Sequence, residues 1–462
     1  MKSATLLTAT LALLVLFTPA RAHAHVHLAA STPAQGDTVR IPLTEIRLQF
    51  SEVIAPQYTT VVLLDATGQE IALGELHATG AAAGREYVLK LDHALMAGAF
   101  TVKWKAAGSD AHATSGMFDF VVDVPEAIRN IQTTRAATAT HPPEHASHHA
   151  AAADIPPMYR PETSLAWIFT RWLNFIGLML LAGAVSFRFF VVERARSRLD
   201  ELLTIDLDDA ARRAAVFAAL ATLLSNALRL WLQSGSLHGP QRMWQGDLLS
   251  AMIFQTGWGK AWLAQTVAAA GVLLAALIKS RDRLESWFSA AAFAVIAAST
   301  PAFAGHAAAV QQMAIVPVLD DAVHVMAASA WLGTLALLLF AGLPVVVRTE
   351  NGFAKAALLV NTFSPLALVM AGIAVFTGAM NAFVHINAVS ELWTTPYGRI
   401  LAVKVMIVLI TATMGAYNWR VVKPRLGTEG ATAHIRRSGF GELAVAVIII
   451  FITAVLVGTP TN

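Results

Sequence analysis

The chain has 462 residues, 33 basic against 30 acidic side chains and a formal net charge of +3, with 56% hydrophobic and only 14% charged residues. Soluble domains carry about 25% charged residues, and here the apolar excess is gathered into long runs, which excludes an ordinary cytosolic enzyme. The small positive balance forms no basic patch, which excludes a nucleic-acid binder, and the absence of cysteine leaves the 15 histidines as the main metal-ligating side chains.

Lys2 precedes an apolar run from Leu6 to Phe17, broken by Pro19 and followed by Ala22-His23-Ala24. A basic start, a short apolar core and an A-x-A site predict a secretory signal peptide over residues 1–24. Cleavage there makes His25 the first residue of the mature chain. Its amine, with a pKa of about 8, and its ring Nδ1 then form a chelating pair for one metal ion.

Residues 25–123 predict a small all-β domain. Thr44–Phe50 alternates, with Ile46, Leu48 and Phe50 on one face, and Tyr58–Leu64, Glu86–Leu91, Gly98–Ala106 and Gly116–Val122 are short runs of β formers. Thr67-Gly68, Thr79-Gly80, Ala97-Gly98 and Gly108-Ser109 punctuate them. Short alternating strands with turn signals predict a sandwich or small barrel. Between the last two strands, Asp110 and His112 stand two apart and point the same way in an extended segment. Alone the pair is unremarkable; with an N-terminal His25 it completes an N,N,N,O donor set, which suits tetragonal Cu(II).

His25-Val26-His27-Leu28, Ser31-Thr32-Pro33, the strand Ile46–Phe50 with Ser51-Glu52, and Val102–Gly116 with Trp104, Asp110 and His112 resemble CopC, the periplasmic copper-binding domain, over essentially all of 25–123. The resemblance implies a Greek-key, Ig-like or cupredoxin-like sandwich or barrel, and a Cu(II) site made by His25, Asp110 and His112. Some members add a Met-rich loop for Cu(I); here the domain's methionines are Met96 and Met117, and no such site is expected. His27 leaves a second mode open, in which the amine, two backbone amides and the His27 ring bind the ion. If residues 25–28 start a strand, His27 instead shares the face of His25 and shields the site. His77 and His93 read as surface histidines.

Residues 124–160, rich in Ala, Thr, Pro and His, predict a disordered linker whose His141, His145, His148 and His149 are either plain spacer or a metal-collecting tether. Residues 161–462 predict an all-α polytopic membrane domain of about eight spans, near 163–192, 213–233, 258–279, 286–304, 318–347, 356–384, 398–420 and 439–458. An exported β domain makes the first span enter from the periplasm. Four loops then fall in the cytoplasm and carry Arg194, Arg196, Arg198, Lys279, Arg281, Arg348, Lys355, Arg420, Lys423 and Arg425, whereas the opposite loops hold little beyond Arg242 and Lys260. This positive-inside bias sets both termini in the periplasm and the chain in the bacterial inner membrane.

On that topology His238, His306, His324 and His385 all fall at the periplasmic side. Asp320 and Asp321 are helical neighbours of His324, and Thr377, Asn381 and His385 make an i,i+4 stripe on the sixth span. Ionisable groups in spans mark ion pathways, so His306, Asp321, His324 and His385, with His27, are further metal or relay candidates. Lys404, Arg171 and Arg229 do not suit a plain cation pore and are expected to pair with carboxylates or helix ends, Asp320 or Asp321 being open to Lys404, or to snorkel outward. Gly305-His306-Ala307-Ala308, Asp321-x-x-His324 with Trp331-x-Gly333, and Tyr397-Gly398-Arg399 with Lys404 and Asn418 resemble the CopD copper-resistance membrane domain over roughly 161–460. That resemblance implies an eight-helix inner-membrane protein associated with copper uptake, and the whole chain looks like a CopC–CopD fusion.

The leading expectation is a copper carrier, not an enzyme. The β domain captures periplasmic Cu(II), copper ions and periplasmic copper chaperones are its partners, and the ion passes by way of the outer histidines to His324 and across the bilayer. No Walker loop or phosphorylation domain is present in the sequence. The alternatives are a copper buffer or sensor without transport, and a histidine-brace copper oxidase or monooxygenase. Asp110 argues against the last by taking the coordination position that oxygen needs.

Overall fold

The computed structural model of the protein describes residues 26–79, 84–108, 113–125, 164–278, 283–304, 315–386 and 388–459. They pack as two compact units, residues 25–167 with 228–260, and residues 168–227 with 261–462. The expected signal peptide, the expected linker beyond residue 125 and His306 lie outside the described residues.

The first unit contains a two-sheet β-sandwich. One sheet has the order β1 (Leu28–Thr32), β3 (Leu43–Phe50), β7 (Glu86–Leu95), β6 (Leu73–Ala78); the other has β2 (Thr38–Val39), β9 (Ala113–Asp123), β8 (Ala97–Ala107), β4 (Thr60–Asp65), β5 (Glu70–Ile71). Every pairing is antiparallel except β2 with β9. Alternation drives this arrangement: Ile46, Leu48 and Phe50 of β3 meet Val102 and Trp104 of β8 and Phe118 and Phe120 of β9 in one core. The Trp104 ring lies edge-on to Phe50, with centroids 5.5 Å apart. It also lies over Gly116, its register partner; a Cβ there would stand 2.8 Å from Trp104 Cζ2.

Among the described residues, eight helices are long and apolar enough to cross a membrane: α1 (Leu165–Arg198), α2 (Glu201–His238), α3 (Gly257–Leu277), α4 (Leu284–Phe303), α5 (Val316–Val347), α6 (Gly352–His385), α7 (Pro396–Arg425) and α8 (Glu429–Leu456). Short helices Gly246–Gln255 and Glu391–Thr394 precede α3 and α7. α2 and α8 begin well before their apolar stretches, because polar residues at those ends are held inside the fold. On α2, buried Asp208 accepts from Arg188 Nε at 2.6 Å, Arg212 Nε at 3.0 Å and Trp287 Nε1 at 2.8 Å, tying α1, α2 and α4 together. Replacing one partner of such a cluster leaves an uncompensated buried charge. Thr428 caps α8, its hydroxyl accepting from Ala431 N. π-helical turns interrupt α1 at Phe187–Val192, α5 at Leu338–Gly342 and α7 at Asn418–Val422. α1 and α5 touch backbone to backbone at Gly183 and Gly333.

Candidate metal site

Three of the expected ligands, His25, Asp110 and His112, lie outside the described residues; the frame around them is described. β8 and β9 form an antiparallel hairpin that pairs as far as Ala107 with Ala113. An Ile54–Gly108 bridge and an Ala55 N–H to Ala107 O bond of 2.8 Å anchor its base. Beside it, the Thr114 hydroxyl donates to Val26 O at 2.6 Å. Thr114 follows His112 by two residues and Val26 follows His25 directly. Val26 and Thr114, described neighbours of the expected ligands His25 and His112, are therefore held together although they are far apart in sequence.

His27 precedes β1 and its side chain is exposed. Its N–H donates to Ser51 Oγ at 3.0 Å and its carbonyl accepts from Ser51 N at 2.9 Å. Binding through the His27 amide would break this pairing. His77 and His93 are exposed, as expected. Among the described residues no three His, Asp or Glu side chains converge on one metal position.

The same unit includes residues 228–260. Lys105, at the end of β8, donates its ammonium to the carbonyls of Ser236 and, at 3.3 Å, Leu237. These are orphan carbonyls of the last turn of α2, where a cation is favoured. Burial holds the Lys105 ammonium below the ordinary lysine range. The Tyr58 ring stands 5.7 Å from that of His238, the last residue of α2. Ser234 Oγ gives its proton to Met243 O at 2.5 Å, so it accepts from His238 Nδ1 at 3.1 Å. The proton is thereby fixed on Nδ1, and Nε2 carries the lone pair. That nitrogen is buried and has no hydrogen-bond partner among the described residues.

In the second unit, α5, α6 and α7 bring together the residues that the spacing singled out. His324 Nδ1 lies 2.9 Å from Ala374 O and 3.1 Å from Thr377 Oγ1. A carbonyl only accepts, so Nδ1 carries the proton and Nε2 the lone pair. The ring lies over Gly378, whose missing Cβ would stand 3.0 Å from His324 Cε1. Asn381 Nδ2 is 3.4 Å from Asp321 Oδ1, and His385 Nδ1 donates to Asn381 O at 2.8 Å. The i,i+4 stripe thus faces α5 through Thr377 and Asn381. Asp321, not Asp320, interacts electrostatically with Lys404. Arg171 NH1 reaches Ala454 O at 3.5 Å, a helix-end carbonyl, and Arg229 lies over the Trp258 ring.

Sequence reasoning missed Tyr397 as a neighbour of His385, with ring centroids 6.0 Å apart, and Gly378 as the seat of His324. It also missed a buried neutral network: Asn174 Nδ2 lies 2.8 Å from Ser225 Oγ, 3.2 Å from Asn226 Oδ1 and 3.0 Å from Gln265 Oε1. Gln265 Nε2 donates on to Thr300 Oγ1 at 2.7 Å. The signal available was a set of amides and hydroxyls inside four apolar spans.

Residues 28–123 match the CopC domain, residues 162–316 the copper resistance protein D-like N-terminal domain, and residues 357–456 copper resistance protein D. The chain is 24% identical to the copper transport protein CutJ of Bacillus subtilis, over 98% of this chain and 77% of the relative. It is 26% identical to the inner membrane protein YebZ of Escherichia coli, over 57% of this chain and 86% of the relative. It is 33% identical to copper resistance protein C of Pseudomonas syringae pv. tomato, over 22% of this chain and 84% of the relative.

Proposed function

Because this chain belongs to the CopC–CopD copper-resistance family, we propose that it is a copper importer of the bacterial inner membrane. Its β domain faces the periplasm and takes up Cu(II) through His25, Asp110 and His112, from free ion or from periplasmic copper chaperones. The helical bundle then carries copper inward by way of His385 and His324, with Asp321 at the mouth. No catalytic step is involved.

The observation that carries this reading is the shared orientation of two imidazoles. His324 and His385 each engage Nδ1 with a carbonyl of the protein, which turns Nε2 into the lone-pair nitrogen. Metal-bound histidines are oriented in this way, the second nitrogen being held by a carbonyl or similar group. Neutral imidazole suits copper in the absence of thiolates.

The test is copper accumulation in cells expressing the full chain. Expression should raise cell copper. His112→Ala should blunt the rise at low external copper, and His324→Ala should abolish it with the protein still inserted at normal levels. A rise equal to the parent's in a stably inserted His324→Ala protein would refute passage through this residue. Failure of the parent to accumulate copper, while it still binds the metal, would leave a buffer in place of a carrier.

A further inference from the structure

α1 and α5 cross at two glycines that meet reciprocally: a Cβ on Gly183 would lie 2.5 Å from Gly333 Cα, and one on Gly333 would lie 2.8 Å from Gly183 Cα. Contact between equivalent positions is the mark of a two-fold relation. The sequence carries the same register in both helices, since as many residues separate Asn174 from Gly183 as His324 from Gly333. A π-helical turn follows each glycine shortly after.

The correspondence extends to the other helices. α3 starts on Thr256-Gly-Trp-Gly259-Lys260 and α7 on Thr395-Pro-Tyr-Gly398-Arg399. In each, the threonine hydroxyl accepts from the glycine N–H, at 2.9 and 3.0 Å, and donates to the carbonyl four residues back, Met252 or Glu391. A Cβ on either glycine would strike that same carbonyl, at 2.2 Å from Met252 O and 1.9 Å from Glu391 O. Counting equally from these caps leads to Gln265 in α3 and Lys404 in α7. On α2, Ser225-Asn226-Ala227 flanks Asn174 as Thr377-Gly378-Ala379 on α6 flanks His324.

We propose that the membrane domain is two copies of one four-helix unit, α1–α4 and α5–α8, and that the amide cluster of Asn174, Asn226 and Gln265 is the metal-blind twin of the His324, Gly378 and Lys404 site, so that copper crosses through the second unit alone. The inference rests on the reading of His324 as a copper station. Each copy has an even number of spans, so the two run parallel about an axis along the membrane normal. That axis is closed where the two glycine backbones touch.

The twin sites differ by a compensated exchange. In the second unit Gly378 leaves room that the His324 ring fills; in the first, Asn174 is the smaller residue and Asn226 supplies the missing side chain. Asn174, Ser225, Asn226 and Gln265 are all buried, at 3% exposure or less, and their hydrogen bonds satisfy one another. An amide nitrogen has no lone pair to give a metal ion, whereas His324 Nε2 has. The mouths differ in sign as well. The same register places Arg171 where the second unit has Asp321, and Arg229 where it has Asn381. Fixed positive charge there disfavours an entering cation.

The experiment uses the full chain, assayed for copper accumulation in cells and for thermal stability after detergent extraction. His324→Asn with Gly378→Asn and Lys404→Gln gives the second site the composition of the first. It should fold as stably as the parent and lose accumulation. Asn174→Ala, and Thr300→Val as a milder change, should leave accumulation per folded protein unchanged. Loss of fold in the triple variant, with His324→Ala still folded, would overturn the equivalence of the two cradles. Loss of accumulation in a stable Asn174→Ala or Thr300→Val protein would overturn passage through the second unit alone. A triple variant that folds and still accumulates copper would instead refute His324 as a station and leave the duplication standing.

Discussion

Gly333→Ala is the smallest change that tests the crossing of α1 and α5. The added methyl would lie 2.0 Å from Met179 O and 2.8 Å from Gly183 Cα. Non-bonded heavy atoms settle at about 3.5–4.0 Å, so the two helices must part by roughly 1.5 Å locally. Overpacking costs about 1–3 kcal/mol, and the upper end applies here because both neighbours are backbone and cannot turn aside. Against this, alanine in place of glycine favours the helix by about 1 kcal/mol. The net is a destabilisation of about 2 kcal/mol, or roughly 5 °C in apparent Tm by the scaling for large domains. The assay is thermal unfolding of the detergent-solubilised full chain beside Gly372→Ala, a position on α6 with nothing within 4 Å of its Cβ. Gly372→Ala should match or exceed the parent. If Gly333→Ala proves as stable as Gly372→Ala, the helices do not approach at this point and the two-fold relation loses its axis.

Gly116→Val should unseat Trp104 from the sandwich core and speed amide exchange along β8 and β9, because its Cβ would start 2.8 Å from the indole; unchanged exchange would contradict the register. Asp65 accepts from Thr67 Oγ1 and from the backbone of Thr67 and Gln69, with the Thr67 hydroxyl foremost in holding its carboxyl below the ordinary aspartate value. Its contribution is present above that ordinary value and lost as pH falls through the depressed one. Amide protection at Gln69 should therefore fall in acid, and Asp65→Asn should remove that dependence. Lys105→Met should loosen the last turn of α2, read as faster exchange at residues 234–238. Since burial lowers the Lys105 value, the unfolded chain binds more protons between the depressed and ordinary values, and the folded domain should gain stability as pH rises through that window.

The five strands legible in the sequence are β3, β4, β7, β8 and β9, and all of them lie inside their sheets. The four that were not, β1, β2, β5 and β6, are the four sheet edges. An interior strand buries one face fully and so alternates, as Ile46, Leu48 and Phe50 do; an edge strand such as Leu73–Ala78 is covered unevenly and its pattern fades. All eight spans were legible from apolar length, but the starts of α2 and α8 were not, since polar packing such as that around Asp208 extends a helix past its apolar run. In the site, the stripe of Thr377, Asn381 and His385 followed from helical spacing, whereas Asp321 and His324, one turn apart on α5, take separate partners on α6, Asn381 for the first and Ala374 with Thr377 for the second. The choice of Asp321 over Asp320 for Lys404 depends on a third helix, α7, and spacing on one helix cannot fix it. The Thr256 and Thr395 caps are a signal that was present in the sequence, visible only once two segments far apart in the chain are laid side by side.

On the proposed reading as a carrier, the arrangement in the bundle bears on how copper is released. Conduction needs sites favourable enough to enter and weak enough to leave. A closed cage of three or four ligands meets the first need and defeats the second, as structural metal sites do. Among the described residues no such cage exists. Instead, His324 and His385 each offer one lone-pair nitrogen, with the opposite nitrogen held by the protein. Asp321, the carboxylate nearest to His324 in the helix, is already engaged by Asn381 and by the charge of Lys404. A copper ion at the mouth therefore meets a partly neutralised acid rather than a free one, and its hold on Asp321 is weaker by that amount. On the proposed reading, Lys404 is thus part of the route rather than an obstruction to it: a fixed positive charge beside a single-nitrogen station keeps residence short, and the steep affinity is left to the β domain, where copper is captured.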